Sequence, residues 1–166
     1  VQRNGFDGIT AVKPIRRAIS SGHGIGKSVL SAWLVNWIMS TRPDCKGTIT
    51  ANTFTQLETK TWATLQRWTK LCITAPWFIV TSNRMYHKDY KESWFCAPQS
   101  CREENSENFA GQHAADSTSF YIFDESSAVP DAIFEVSEGG LTDGEPMQFL
   151  FGNPTRSQGR FHAACF

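Results

Sequence analysis

A glycine-rich stretch near the start of the sequence has the residue types needed to bind a phosphate. It runs from Ser20 to Ser28 and feeds directly into an apolar segment. Glycines let the backbone curl with its N–H groups pointing inward, and the start of a helix favours an anion. The Walker A pattern G-x-x-x-x-G-K-[ST] fits from residue 21 to residue 28, except that Ser21 occupies the first glycine position. A loop-to-helix turn that binds no phosphate also fits this motif. The predicted phosphate-binding residues are Gly22, His23, Gly24, Ile25, Gly26, Lys27 and Ser28.

Two adjacent carboxylates follow an apolar run later in the chain. Residues 119–123 read Ser-Phe-Tyr-Ile-Phe and lead into Asp124 and Glu125. A continuous apolar strand is typical of a parallel sheet covered on both faces, and ligands bind outside the carboxyl ends of such strands. We predict a Walker B segment in which Asp124 holds Mg²⁺, directly or through water, and Glu125 orients and deprotonates the attacking water. Alone, the run also fits a strand that ends in a solvated acidic turn.

A second compact apolar run, residues 148–151, also ends in polar residues. It is followed by Gly-Asn-Pro-Thr-Arg, so Asn153 or Thr155 could contact a γ-phosphate or the attacking water. An Asn-Pro turn is equally good as a simple connector between elements. Asn153 and Thr155 are therefore predicted as sensor or coupling residues only in combination with the other two motifs.

The remaining pattern predicts the elements that position these residues. Residues 27–40 are apolar on nearly every side, which predicts a helix buried against a sheet. A β-branched run at 47–51 precedes a second helical pattern, and this alternation of strand and helix indicates an α/β architecture. The buried stripe of the second helix is predicted to be Leu57, Thr61, Leu65, Trp68 and Cys72, with shorter strands at 17–20, 77–80, 84–87 and 93–96 and a short helix at 131–137.

Composition and charge set broad limits. The 166 residues are 40% hydrophobic and 19% charged, which is ordinary for a globular domain. No run of roughly 18 apolar residues predicts a membrane span, and no signal peptide is visible. The first residue is Val, which suggests a piece of a longer chain. The five cysteines form no zinc-site pattern and fit a reducing compartment.

The zero net charge hides an asymmetry between the two halves of the chain. Residues 1–88 contain twelve Lys or Arg against three acids, whereas residues 89–166 contain four against thirteen. The basic half could offer a face to a polyanion, or folding could mix the two signs over one surface.

Several segments together resemble the ATPase domain of the large subunit of a tailed-bacteriophage terminase. The resemblance spans most of the chain, and the segments occur in the order expected for that family. It implies a three-layer P-loop NTPase of the additional-strand, catalytic-glutamate type, with a mostly parallel central sheet. The segments are residues 21–28, 50–53 with Gln56 and Leu57, 109–113, 122–126 and 151–156.

The resemblance also implies a function and partners. Such proteins hydrolyse ATP with Mg²⁺ and push double-stranded viral DNA into a preformed capsid. The resemblance implies that Lys27 contacts the β- and γ-phosphates and that Ser28 contacts the Mg²⁺. They act as a ring on the portal protein together with a terminase small subunit, in the host cell cytoplasm and transiently at the procapsid portal, with no membrane partner. Gln2 lies upstream at a distance similar to that of the family's adenine-reading glutamine.

Two departures from the family qualify this expectation. Many members carry an arginine within the phosphate loop, where this chain has His23, so the source of positive charge for the transition state is open. Residues 1–166 are expected to form an incomplete N-terminal ATPase domain without the family's C-terminal nuclease domain, so no DNA cleavage is expected of this piece. The candidate arginines are Arg84, Arg102, Arg156 and Arg160.

Other functions fit part of the pattern. A superfamily 1 or 2 helicase is the nearest, since residues 50–53 resemble a strand-end segment that those enzymes use on DNA. A nucleotide-binding assembly module that is inactive in isolation is an alternative of a different class. A small-molecule kinase fits less well, because Glu125 offers a water-activating carboxylate beside the metal ligand.

Overall fold

The computed structural model describes residues 13–51, 53–101, 109, 113–114 and 116–166. Most predicted elements are present with boundaries shifted by one or two residues, and a C-terminal helix appears that was not predicted. The strands are β1 Ile15–Ser20, β2 Lys46–Thr50, β3 Phe78–Val80, β4 Met85–His87, β5 Phe95–Pro98, β6 Ser119–Phe123 and β7 Met147–Gly152. The helices are α1 Lys27–Thr41, α2 Phe54–Gln56, a π-helix Leu57–Trp62, α3 Ala63–Thr69, α4 Asp131–Glu138 and α5 Arg160–Cys165.

The strands of the described residues form one seven-stranded sheet in the order β1-β7-β6-β2-β5-β4-β3. The pairs β1-β7, β7-β6, β6-β2 and β2-β5 are parallel, and β4 and β3 add an antiparallel edge. Strand β7, late in the sequence, lies between the strand that precedes the glycine-rich loop and the strand that precedes Asp124. The mostly parallel sheet and the additional strand agree with the predicted fold class.

Strand β6 shows why the sheet must be covered on both faces. Successive side chains of a strand point to opposite faces, so a fully apolar strand needs two cores. Phe120 and Ile122 pack in one core with residues of α1 and α3, and Tyr121 and Phe123 pack in the other with residues of α4 and α5. The result is the predicted three-layer arrangement of helices, sheet and helices.

Helix α1 is less buried than its sequence predicts. Its inner side chains, such as Val35 and Ile38, are fully buried, but Leu30, Trp33 and Trp37 remain between 39% and 49% exposed. A helix on the outside of a sheet can bury only the faces that meet the sheet and a neighbouring helix. The edge-to-face contact of Trp33 with Trp68 of α3, with ring centroids 5.2 Å apart, covers part of the outer side.

The second helical pattern is confirmed, with one irregularity. Thr53 caps its N-terminus by accepting a hydrogen bond from the Gln56 backbone N–H at 3.2 Å. Residues Leu57–Trp62 then adopt a π-helix before the regular helix α3. The predicted stripe is buried at Leu57, Thr61 and Leu65 and half-buried at Trp68 and Cys72. π-helical turns are rare and often lie at functional sites.

Ion pairs connect the basic first half of the chain to the acidic second half. Arg16 of β1 pairs with Glu138 of α4, and Arg42 pairs with Glu145 at 3.0 Å. Folding therefore mixes the two signs of charge at these places, as one of the two interpretations predicted. In the described part of the chain, no helix combines the length and apolarity needed to cross a membrane.

The packing of Gly47 in β2 generates a stability prediction. Gly47 is the register partner of Phe120, and a Cβ built on Gly47 would overlap the Phe120 ring. We expect Gly47→Ala to lower the free energy of unfolding by about 1–3 kcal/mol, because a packed sheet core has no room for another methyl group. Urea denaturation measures this change.

The control is Gly139→Ala, at the C-terminal end of α4. There a Cβ would have as its nearest neighbour the Val136 carbonyl oxygen at 3.4 Å, and the glycine has helical backbone angles. Equal effects of the two substitutions would contradict the packing of Phe120 against Gly47.

Candidate functional site

The carboxyl ends of β1, β7 and β6 bring the three sequence motifs to one edge of the sheet. Ser20 pairs with Gly152, and Phe123 pairs with Leu150. The Ser21 backbone N–H also donates to the Gly152 carbonyl at 3.0 Å, which extends the pairing of β1 with β7 into the loop. Because parallel strands end on the same side, the glycine-rich loop, Asp124 and Asn153 become neighbours, as the sequence predicts.

The loop backbone explains which of its glycines are required. Gly24 and Gly26 have φ angles of +73° and +93°, which side chains of L-residues rarely adopt. Gly26 is the N-cap of α1, and its carbonyl accepts the first helical hydrogen bond, from Leu30 N–H at 3.0 Å. Ser21 and Gly22 are not among the described residues with positive φ, so serine fits the first glycine position without backbone strain.

Lys27 has a buried ammonium group with several acceptors around it. Only 9% of the residue is exposed. Its Nζ donates to the Gly22 carbonyl at 2.6 Å and to Asn153 Oδ1 at 2.7 Å, with the Ser21 carbonyl at 3.5 Å. These oxygens hold the positive charge between the loop and the end of β7. Beside the N-terminus of α1, this charge makes the loop suitable for a phosphate group.

His23 is connected to Lys27 through Asn153. The Asn153 Nδ2 lies 2.7 Å from Nε2 and 2.9 Å from Nδ1 of the His23 ring. An ammonium only donates hydrogen bonds, so Asn153 must turn its oxygen to Lys27 and its NH₂ to His23. The Asn153 amide therefore lies between the Lys27 ammonium and the His23 ring. His23 thus contacts the residue that also holds Lys27.

Asp124 is a buried carboxylate that receives hydrogen bonds from three elements. It is 4% exposed, and its Oδ2 accepts from Ser28 Oγ at 2.9 Å and from Thr61 Oγ1 at 2.8 Å. The backbone N–H of Glu125 donates to its Oδ1 at 3.2 Å. The structure thus joins the predicted pair Ser28 and Asp124. The helical pattern predicts only burial for Thr61, although a threonine within an apolar stripe is a signal for a buried polar partner.

Glu125 stands in an unusual backbone conformation directly after Asp124. Its φ of +58° and ψ of +43° lie in the left-handed region, which costs free energy for a residue with a side chain. Strain of this kind is concentrated at functional sites. The left-handed turn starts the short 3₁₀ helix Ser126–Ala128 and keeps Glu125 half-buried at the sheet edge, next to Asp124.

The structure separates the two predicted sensor residues. Asn153 is 5% exposed and contacts Lys27 and His23, whereas Thr155 is exposed. Thr155 Oγ1 donates to Ser127 Oγ at 3.1 Å, in the turn that follows Glu125. The segment after β7 is therefore connected to the glycine-rich loop through Asn153 and to the turn after β6 through Thr155. Ser127 was not predicted from the sequence.

A known protein of similar sequence belongs to the family that the motifs resemble. The chain is 31% identical over 150 residues to a probable terminase large subunit of Enterobacteria phage P7. The predicted resemblance to terminase large subunits is confirmed. The matched region is 87% of this chain but 30% of that terminase, so the chain spans under a third of its relative. No protein-family model matches the sequence.

Solved structures of large terminases share the fold of this chain. The large terminase of a thermophilic bacteriophage, in complex with ADP, matches with a TM-score of 0.64 at 17% identity and covers 87% of this chain and 34% of its own. The large terminase ATPase domain of Thermus phage P74-26 matches with a TM-score of 0.54 at 20% identity, over 85% of this chain and 60% of its own. These terminase structures establish the fold at low sequence identity.

The remaining residues named with the terminase resemblance are Gln2 and the four candidate arginines. Gln2 and Arg102 lie outside the described residues. Arg84 pairs with Glu92 at 3.4 Å and stacks on Phe95, at the β4–β5 side of the sheet. Arg156 and Arg160 follow Thr155 on the exposed segment that leads into α5.

The bond between Lys27 and Asn153 can be tested through stability. We expect a double-mutant cycle with Lys27→Met and Asn153→Ala to give a coupling free energy of about 1.5–3 kcal/mol, the range for a hydrogen bond to a charged group. Urea denaturation of the two single variants and of the double variant measures it. The exposed Lys70→Met combined with Asn153→Ala is the control pair, whose effects should add. Additive effects in the Lys27 pair would show that the two side chains do not interact.

Proposed function

We propose that this chain binds and hydrolyses ATP, and that it powers the packaging of viral double-stranded DNA as part of a terminase large subunit. The observation that carries the proposal is the convergence of the buried Lys27, the Ser28–Asp124 pair and Glu125 at one sheet edge. The similarity to a terminase large subunit and the ADP bound to the large terminase of the thermophilic bacteriophage support it.

Nucleotide phosphates would be held by the loop and Lys27. The glycine-rich backbone and the first turn of α1 offer N–H donors, and Lys27 supplies a positive charge that the Gly22 and Asn153 oxygens hold in place. In P-loop NTPases the corresponding lysine contacts the β- and γ-phosphates. An ammonium already fixed by its neighbours loses little conformational freedom when the phosphate arrives.

The oxygen atoms of Ser28 and Asp124 fit Mg²⁺. Magnesium prefers oxygen ligands and is commonly bound by one or two carboxylates together with substrate phosphates, not by a complete protein cage. Ser28 Oγ and Asp124 Oδ2, 2.9 Å apart, match that mode, since they supply one hydroxyl and one carboxylate near the start of α1. Bound there, Mg²⁺ would neutralise charge that develops on the phosphate oxygens.

Glu125 would serve as the general base. It follows Asp124 directly and is half-buried at the same sheet edge, so its carboxylate can accept a proton from a water molecule near the γ-phosphate. The left-handed backbone at Glu125 fixes the direction in which the side chain leaves the strand. From this position the Glu125 carboxylate would orient the water for in-line attack.

Asn153 and Thr155 would transmit the state of the γ-phosphate. Asn153 touches the ammonium group that contacts the phosphate, and Thr155, two residues later, bonds to Ser127 beside Glu125. Loss of the γ-phosphate would change the charge around Lys27 and so the balance of its bond to Asn153. The segment of residues 153–156 is the part of the chain best placed to move in response.

Packaging requires partners outside this chain. We propose that the parent protein forms a ring on the portal protein, receives DNA from the terminase small subunit and acts in the host cytoplasm, transiently at the procapsid portal. A helicase-like DNA-dependent ATPase would use the same nucleotide site. An assembly module that binds nucleotide without hydrolysing it would use Lys27 but not Glu125.

Lys27→Ala tests the phosphate loop. We expect this change to lower the nucleotide affinity of the intact protein at least tenfold, because it removes the buried positive charge that would face the phosphates. Titration with a fluorescent ADP analogue measures the affinity. Lys70→Ala, an exposed lysine at the end of α3, should leave it unchanged. Full affinity in Lys27→Ala would refute the loop as the nucleotide site.

Glu125→Gln tests the assignment of the base. We expect ATP to bind with unchanged affinity while hydrolysis falls by about 10²–10⁴-fold, because glutamine cannot accept the proton. Phosphate release is measured over a range of protein concentrations, since a site completed by a neighbouring subunit gains specific activity on assembly. Glu135→Gln, on the exposed side of α4, is the matched control. Unchanged turnover in Glu125→Gln would assign the base elsewhere.

A further inference from the structure

Thr61 departs from the usual behaviour of a threonine inside a helix. Helical Ser and Thr hydroxyls commonly donate to the carbonyl four residues earlier. In the same helical segment Thr59 donates to the Thr55 carbonyl at 2.6 Å, and Thr69 donates to the Leu65 carbonyl at 2.9 Å. The Thr61 hydroxyl instead reaches across to the sheet and donates to Asp124 Oδ2 at 2.8 Å.

The π-helix provides the position from which Thr61 makes this bond. Thr61 and Trp62 are consecutive, and each is 2% exposed, so two successive side chains of the wide turn enter the core. Trp62 is fixed there by the donation of its Nε1–H to the Thr81 carbonyl at 2.8 Å. The anchored Trp62 next to it and its own burial keep the Thr61 hydroxyl close to Asp124.

The two hydroxyls that share Asp124 Oδ2 are not equivalent once a cation is present. A hydroxyl has a single hydrogen to donate and lone pairs for a cation. When Ser28 Oγ turns its lone pairs to a cation, its hydrogen need no longer point at Asp124. Thr61 lies on the π-helix and can donate to Asp124 both with and without the cation. The Thr61 bond is then the side-chain interaction that holds the carboxylate in the same orientation.

We propose that Thr61 is a positioning residue for Asp124, and that it sets the affinity of the nucleotide site for Mg²⁺. This inference rests on the proposed nucleotide site. Hydrogen-bond partners of metal ligands orient those ligands, and their removal typically lowers metal affinity by about 10- to 100-fold. Thr61 donates the bond that plays this part for Asp124, and it contacts neither the phosphates nor the attacking water in this role.

The test compares Mg²⁺ dependence in matched variants of the intact protein. A fluorescent ADP analogue is titrated without metal and then with increasing Mg²⁺. Thr61→Val removes the hydroxyl at nearly constant volume, and we expect it to raise the half-saturating Mg²⁺ concentration by about tenfold or more. Metal-free ADP binding should be unchanged. Thr61→Ser, which restores the hydroxyl, should return the Mg²⁺ dependence to within about threefold of the unsubstituted protein.

Thr69→Val is the control, because Thr69 is also buried in the segment but donates only within its helix and toward Met85. Equal Mg²⁺ dependence in Thr61→Val and Thr69→Val would overturn the role of Thr61 and leave the nucleotide site intact. Failure of the unsubstituted protein to bind ADP at all would overturn the site itself. If Thr61→Val does not fold, Thr61→Cys replaces it: its weak S–H donor should shift the Mg²⁺ dependence relative to Thr61→Ser, and an identical dependence would refute the proposal.

Discussion

The hydrogen bond from Lys27 Nζ to Asn153 Oδ1 connects the glycine-rich loop to the end of β7 at the centre of the candidate site. It depends on the parallel pairing of β1 with β7, which brings residues more than a hundred positions apart in sequence to one sheet edge. The bond fixes the orientation of the Asn153 amide, whose NH₂ group contacts the His23 ring. A buried ammonium needs such partners, because burial of an unpaired charge is costly. The shape of the glycine-rich loop therefore depends on the neighbouring strand β7 as well as on its own glycines.

Asp124 is a second point of convergence, where three elements meet on one carboxylate. Ser28 reaches it from α1, Thr61 from the π-helix and Glu125 from its own turn. The left-handed backbone of Glu125 is the strained position among these residues. Strain of this kind persists only where surrounding packing over-determines the structure, and the fully buried Phe123 and the buried Ser126 on either side provide it here.

Large apolar side chains remain exposed on the side of the sheet that carries α1 and α3. Leu30, Trp33 and Trp37 lie on the outer surface of α1, although the helix sequence is apolar on nearly every side. One helix in an outer layer of a three-layer fold has two covered faces at most, so an all-round apolar pattern overestimates its burial. Arg42 stacks over the Trp37 ring at 4.4 Å and covers part of this surface.

The sequence by itself predicted the strands, the main helices and the loop, because glycine spacing and apolar runs are local signals. The glycine motif and the polar ends of those runs also indicated Lys27, Ser28, Asp124, Glu125 and Asn153 as candidate site residues. Only the tertiary structure decided what those residues touch. The insertion of β7 beside β1 selected Asn153 over Thr155 as the partner of Lys27, and a π-helical turn directed Thr61 to Asp124. Such contacts depend on strand order and on the side-chain direction across separate elements, and neither is encoded in the periodicity of one segment.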